Sequence, residues 1–296
     1  MDFTFAQVKT HLQLTLDTTP LPSYGNLMND VLISGGLILA GFALRSFASI
    51  WLGRLGSIAI LSGSYRAGLL LFHETWAGII VALLWLLIPA VQVLWSARHY
   101  ELPLDKKFRP RRPPPSEFFP NLAELTDEFI AEGFELVEDV GWQSEHWEQF
   151  SRLLVHSDRK LQGCIHFHTQ GANALGYAAL ITRTEDGRQW TSWNYPYNPG
   201  LKLPPELILN RQPFAQNLHD LMLQHEEFIQ KSTPATIVAP NPDHLVEMIQ
   251  DELRRQIDHN LDAGLLRLSG RGHFMYSWRG ALFVLRQFMI DLLRYS

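Results

Sequence analysis

WAGIIVALLWLLIPAVQVLWSA, residues 76–97, contains no charged side chain, and Arg98, Lys106, Lys107, Arg109, Arg111 and Arg112 follow it closely. As a helix, about 22 residues cover the roughly 30 Å hydrocarbon core of a bilayer. Trp76 and Trp95 stand near its two ends, where amphipathic rings settle at headgroup level. Pro89 would break a helix in water, but neighbouring helices can absorb such a break in lipid. Basic residues on one side only predict a span whose C-terminal end faces the cytoplasm, as in a bacterial-type inner membrane.

Upstream, Val31 to Phe72 is apolar and glycine-rich, too long for one span and interrupted by Arg45, Arg54 and Arg66. It reads as two spans, 31–51 and 55–73, with a tight turn at Gly53-Arg54. Gly35, Gly36, Gly41, Gly56, Gly63 and Gly68 allow helices to approach closely in lipid. Arg45 can snorkel toward the surface. Arg66 lies deeper and needs a cavity, a headgroup or a helix C-terminus. Three spans over 31–97 are favoured, with two as the alternative if 55–73 lies in the interface. Residues 1–30 read as a separate N-terminal segment, with an amphipathic stretch before the TTPLPSYGN break.

Charge divides the chain into three parts. Residues 1–97 carry four basic and four acidic side chains, 98–112 six and two, and 113–296 fifteen and twenty-four. An acidic soluble part argues against nucleic acid as a partner, and the basic collar suits the anionic headgroups of a lipid bilayer. FRPRRPPPSEFFP closes a basic, proline-rich linker over 98–120, expected to run extended as a spacer that holds the soluble part off the bilayer.

Residues 121–296 read as a cytoplasmic α+β domain with an antiparallel sheet. A helix is expected from Asn121 to Gly133, then a meander of four or five strands through FELVEDVGW, SRLLVHS, LQGCIHFHT, ALGYAALITRT and RQWTSWN. Glu185-Asp186-Gly187 is the clearest hairpin signal, because Gly187 can take a positive φ. Helices are expected at 214–231, from Asn241-Pro242 toward His259, and over 278–295. The last carries Arg279, Arg286 and Arg294 beside an apolar stripe; packing on the domain is favoured over an interfacial position.

No P-loop, nucleophile elbow or HExxH pair is present, and no cofactor is indicated. The most suggestive group is Cys164, His166 and His168, which alternate onto one face of a strand. Thiolate and imidazole are metal ligands, but residues two apart on a strand converge on one ion only with further help, so a mixed polar face is the expectation. Trp142, Trp147, Trp190, Trp193, Tyr195 and Tyr197 surround the same meander. The favoured reading is a non-enzymatic membrane anchor presenting a domain for a ligand or for another membrane or cytoplasmic protein. The alternatives are a tethered enzyme using His166 or His168, and a transporter or channel subunit using Arg45 and Arg66.

Overall fold

The computed structural model describes residues 24–47, 49–144, 147–156, 158–170, 173–232, 235–270 and 272–295. The amphipathic stretch expected before Asp17 lies outside them. The chain forms two compact units, the first ending at Ala90 and the second running from Val91 to Tyr295.

The first unit is built from apolar helices: α1 (Tyr24–Arg45), α2 (Ile50–Phe72) and the start of α3 (Thr75–His99). By length and composition two of them can cross a membrane, or three if the bent pair Thr75–Trp85 and Leu87–His99 is one span. Leu39, Trp51, Leu71 and Ile88 are all exposed, the surface expected of helices that are apolar all round. α1 and α2 run antiparallel, and small residues set their spacing. A Cβ on Gly41 would lie 2.6 Å from the Gly56 carbonyl oxygen, and one on Gly63 2.8 Å from that of Ser34. Gly68 meets Gly78 of α3 in the same way. Arg66 is satisfied inside the unit: its Nη2 donates to Asp30 Oδ1 at 2.7 Å.

The turn between the first two helices differs from expectation. α1 ends at Arg45, and Gly53-Arg54 lies inside α2. Ser46 draws its backbone N–H onto Phe42 and its hydroxyl onto Ala43, which closes the helix early. An isolated glycine costs a helix interior only about 1 kcal/mol, and Gly53, with open space around it, does not end α2. His73, at φ 55°, ends α2 in the left-handed region and makes the short link to α3.

In the second unit, β3 (Glu135–Gln143), β4 (Glu148–His156), β5 (Leu161–Gln170), β6 (Asn173–Thr184) and β7 (Gln189–Trp193) form the expected antiparallel meander. Gly187 adopts φ 79° in the β6–β7 turn. Three strands extend it: β2 (Arg109–Pro110) pairs with β3, β8 (Leu207–Arg211) runs parallel to β7, and β9 (Ile237–Val238) pairs with β6. A second sheet joins β1 (Leu102–Pro103), β11 (His273–Tyr276) and β10 (Leu266–Leu268). Thus part of the stretch expected as a free spacer is woven into both sheets. Extended backbone is there, as the prolines require, but it is spent on ladders.

Strand alternation gives the sheet two apolar faces. Phe150, Leu154, Ile165, Phe167 and Leu180 face α4 (Leu122–Ala131) and α5 (Leu218–Ser232). Leu153, Val155, Cys164, Ala179 and Ile181 face α6 (Leu245–Asp262). Asn241 accepts from the Asp243 N–H to start a 3₁₀ turn that leads into α6. Arg183 of β6 and Glu252 of α6 face each other at 3.6 Å, and Arg183 also donates to Gln162. Burial holds the Glu252 carboxyl above its ordinary range.

The last helix, α7 (Trp278–Tyr295), packs on the domain. Ser277 caps it by accepting from the Gly280 N–H at 3.0 Å. Gly280 must be glycine, since a Cβ there would lie 1.9 Å from the Leu265 carbonyl oxygen. Near the other end, buried Asp291 accepts from Arg211 Nη1 at 2.8 Å, from the Asn198 N–H at 2.8 Å and from Asn198 Nδ2 at 2.6 Å. Replacing Asp291 by Ala removes a buried carboxylate that accepts three hydrogen bonds, and with it the ion pair to Arg211. We expect the detergent-solubilised chain to lose about 3–5 kcal/mol and melt roughly 10 °C lower, measured by thermal circular dichroism. An unchanged melt would mean that the clamp is not part of the fold's stability.

Candidate functional site

The α6-facing side of the sheet is apolar at one end and polar at the other. Cross-strand register sets Ser151, His166 and Tyr177 side by side on β4, β5 and β6. A hydrogen-bonded chain crosses the strands. Trp142 Nε1 donates to Gln149 Oε1 at 2.6 Å, Gln149 Nε2 donates to Ser151 Oγ at 3.3 Å, and Ser151 Oγ meets His166 Nδ1 at 2.9 Å. Because that hydroxyl already accepts from Gln149, it is free to donate to a neutral imidazole. His168 Nε2 lies 3.3 Å from Tyr177 Oη. The rings of His166 and His168 stack against Tyr177 at centroid distances of 4.9 and 5.6 Å, and Tyr195 and Trp193 continue the cluster.

Burial keeps these rings neutral. It pushes the His166 imidazole down to about 3, and a proton on His168 opposes a second one there. It pushes His168 down to about 4, helped by Lys106. The Tyr177 phenol is driven well above its ordinary value for the same reason.

Cys164 does not share in the polar end. It is fully buried in the apolar half, accepts a 3.2 Å contact from Gln162 Nε2, and has its thiol pushed up to about 12 by burial. Among the described residues no three His, Cys, Asp or Glu side chains are gathered as a metal site. The strand therefore brings His166 and His168 together and leaves Cys164 as a small core residue.

The basic collar supplies the neighbouring wall. A cavity of about 480 Å³ is lined by Lys106, Lys107, Arg109, Arg111 and Trp142, with Asp105 as its one acidic side chain. Lys106 Nζ sits 4.6 Å from the Trp142 ring centroid, half-buried and in no ion pair among the described residues. Desolvation lowers its ammonium to about 8. Lys107 pairs with Asp105 at 3.5 Å, and Arg111 is held by Glu148 and by Gln143. Arg109 and Arg112 are exposed. The indole N–H groups of Trp147 and Trp193 are buried with no hydrogen-bond partner among the described residues. Polar hydrogens left in this way are costly, and they border the same face.

Of the residues expected at a membrane interface, Trp76 is exposed on the first unit. On the second unit Trp95 is exposed and stacked on His99 at 4.0 Å, and Arg98 is bound to backbone in β11. Lys106 carries more chemistry than its place in a charge run suggested. The signal was present in the sequence only as a lysine six residues past Tyr100, with nothing to say that it would fold back onto Trp142. No protein-family model, curated protein or solved structure matches this chain.

Three imidazoles stay uncharged in the fold: His166, His168, and fully enclosed His225, which is pushed down to about 4 between Thr182 Oγ1 (2.9 Å) and Ser192 Oγ (2.8 Å). Each binds a proton in the unfolded chain near pH 6.5 and in the folded one only near 3–4, so stability is full above about 6.5 and is lost as pH falls toward 4. The melting temperature should drop steadily across that window. A His225→Gln variant should melt lower at neutral pH yet decline less steeply. A flat profile in the parent protein would contradict neutral buried imidazoles.

Proposed function

We propose that this chain is a non-enzymatic binding protein of a bacterial-type inner membrane. Its apolar helices anchor an α+β domain on the cytoplasmic side, and the domain takes an anionic ligand, free or carried by a partner protein, at the Lys106–Trp142 cavity. The observation that carries the reading is Lys106: a half-buried ammonium on an aromatic face, unpaired, in a cavity with three further cations and one acid. A desolvated cation without a counter-charge is stabilised by any anion that enters. Trp142 supplies the aromatic side of the cavity lining, where the body of such a ligand would lie.

Catalysis is the weaker reading. Ser151 and His166 resemble half of a nucleophile–base pair, but among the described residues no carboxylate is hydrogen-bonded to His166 to orient it. An imidazole at about 3 is also poorly matched to general-base work near neutrality.

Tryptophan fluorescence of the full chain in detergent, titrated with phenyl phosphate, inorganic phosphate and phenol, tests the binding reading. Saturable binding of phenyl phosphate at least about tenfold tighter than phenol is expected, since one charge-assisted contact is worth roughly 1.5–3 kcal/mol. Lys106→Ala should abolish that preference. Equal, non-saturating responses to all three would overturn it.

The orientation has its own test. A reporter active only in the cytoplasm, fused after Ser296, should be active in cells. Activity of an exported-only reporter at the same place would reverse the layout.

A further inference from the structure

Sequence periodicity left two readings of the last helix, and the structure gives each its own side of α7. Gly280, Ala281 and Asp291 are buried against the domain. Trp278, Leu282 and Ile290 point outward, 65, 56 and 37 % exposed. Arg279, Arg286 and Arg294 are exposed with them. The helix has one acidic residue, Asp291, and that carboxylate is turned inward onto Arg211 and Asn198. The outer arc is therefore apolar and purely cationic, on a region whose formal balance after residue 112 is fifteen basic to twenty-four acidic side chains.

A second observation fixes where this arc begins. Arg98, in the last turn of α3, donates through Nη1 to the Tyr276 carbonyl oxygen at 2.8 Å. Its guanidinium also lies 4.7 Å from the centroid of the Trp278 ring. Both residues belong to the same compact unit as Val91–His99. The exposed indole that opens α7 is thus latched to the end of the apolar helix, near the exposed, His99-stacked ring of Trp95.

We propose that the outer face of α7 docks on an anionic bilayer surface beside the point where α3 leaves it. This rests on reading α3 as a span. A helix that offers Trp, Leu and Ile with Arg, and no exposed acid, combines apolar insertion with attraction to negative headgroups. Acidic side chains more than about 10 Å from this arc act on it only weakly, because salt screens them at ordinary ionic strength. The Arg98 latch removes most of the entropy cost of bringing the helix to the surface, since the domain is already tethered there.

Spin labels on the full chain in vesicles test this. Cys164 is buried and stays in place. One label goes at Leu282→Cys, a solvent control at exposed Lys231→Cys, and a span control at exposed Ile88→Cys. In phosphatidylglycerol/phosphatidylcholine vesicles the Leu282 label should be more accessible to oxygen than to a water-soluble nickel chelate, like the Ile88 label and unlike that at Lys231. In phosphatidylcholine alone, or with Arg279→Glu and Arg286→Glu together, that order should reverse. A melt of the double variant checks its fold, and Arg279→Gln with Arg286→Gln replaces it if it fails. Nickel access at Leu282 in anionic vesicles overturns the docking. Shielding from both reagents overturns it in favour of a protein contact, and docking that ignores lipid charge overturns the anionic assignment. Nickel access at Ile88 would sink the span reading itself, a result distinct from failure at Leu282 alone.

Discussion

A sheet that is apolar on both faces is the constraint on which the second unit depends. β4, β5 and β6 alternate so that Phe150, Leu154, Ile165, Phe167 and Leu180 point one way and Leu153, Val155, Cys164, Ala179 and Ile181 the other. Neither set can be left in water, at about 25 cal/mol for each Å² of apolar surface. Two helical layers follow as a necessity, α4 with α5 on one side and α6 on the other. Leu245, Val246, Ile249 and Leu253 of α6 join Cys164 in one cluster, and the His166–His168 row continues the same face along β5.

The collar owes its geometry to the same sheet. Because β2 adds to the edge strand β3 through Arg109 and Pro110, the preceding Asp105–Phe108 segment must pass over the face that carries Trp142. Phe108 is buried in that core, and Lys106, two residues before it, is drawn down onto the indole. The prolines still matter, since Pro110 sits on an edge strand where a missing N–H leaves no ladder bond unmade. A tether that reads in sequence as a spacer becomes the wall of a cavity. β1, pairing with β11, ties the other end of the same segment to the element that leads into α7.

Much of this was legible in the residues. The meander followed from short runs rich in β-branched and aromatic residues and from Gly187, α6 from Asn241-Pro242, and the close helix contacts from Gly41, Gly56, Gly63 and Gly68. Other features were not, for identifiable reasons. β1, β2 and β9 are two residues long, so no periodicity can announce them, and β8 is short and parallel to a neighbour with which it makes no hairpin. The α1–α2 turn was misplaced because Gly53 was taken as punctuation, whereas it sits inside α2 with open space around it. At the site, the His166–His168 face was visible from spacing, whereas Lys106 on Trp142 depends on a strand pairing with no local signature.

Lys106 also shows how the two halves of the site are linked. Losing hydration costs an ammonium several kcal/mol, and a cation–π contact returns about 0.5–2 kcal/mol, so Trp142 alone does not balance the account. The deficit appears as an ammonium lowered to about 8, still protonated near neutrality. Its positive charge in turn helps to keep His168 uncharged, and repulsion between the two rings disfavours protonating His166 and His168 together. Neutral rings then cluster with Tyr177 and Tyr195 without charge repulsion, His168 stacked on Tyr177 and Tyr195 tilted against it. An anion entering beside Lys106 would relieve the first term in this series. It would also weaken the field on His168, which the Lys106 charge helps to hold at about 4.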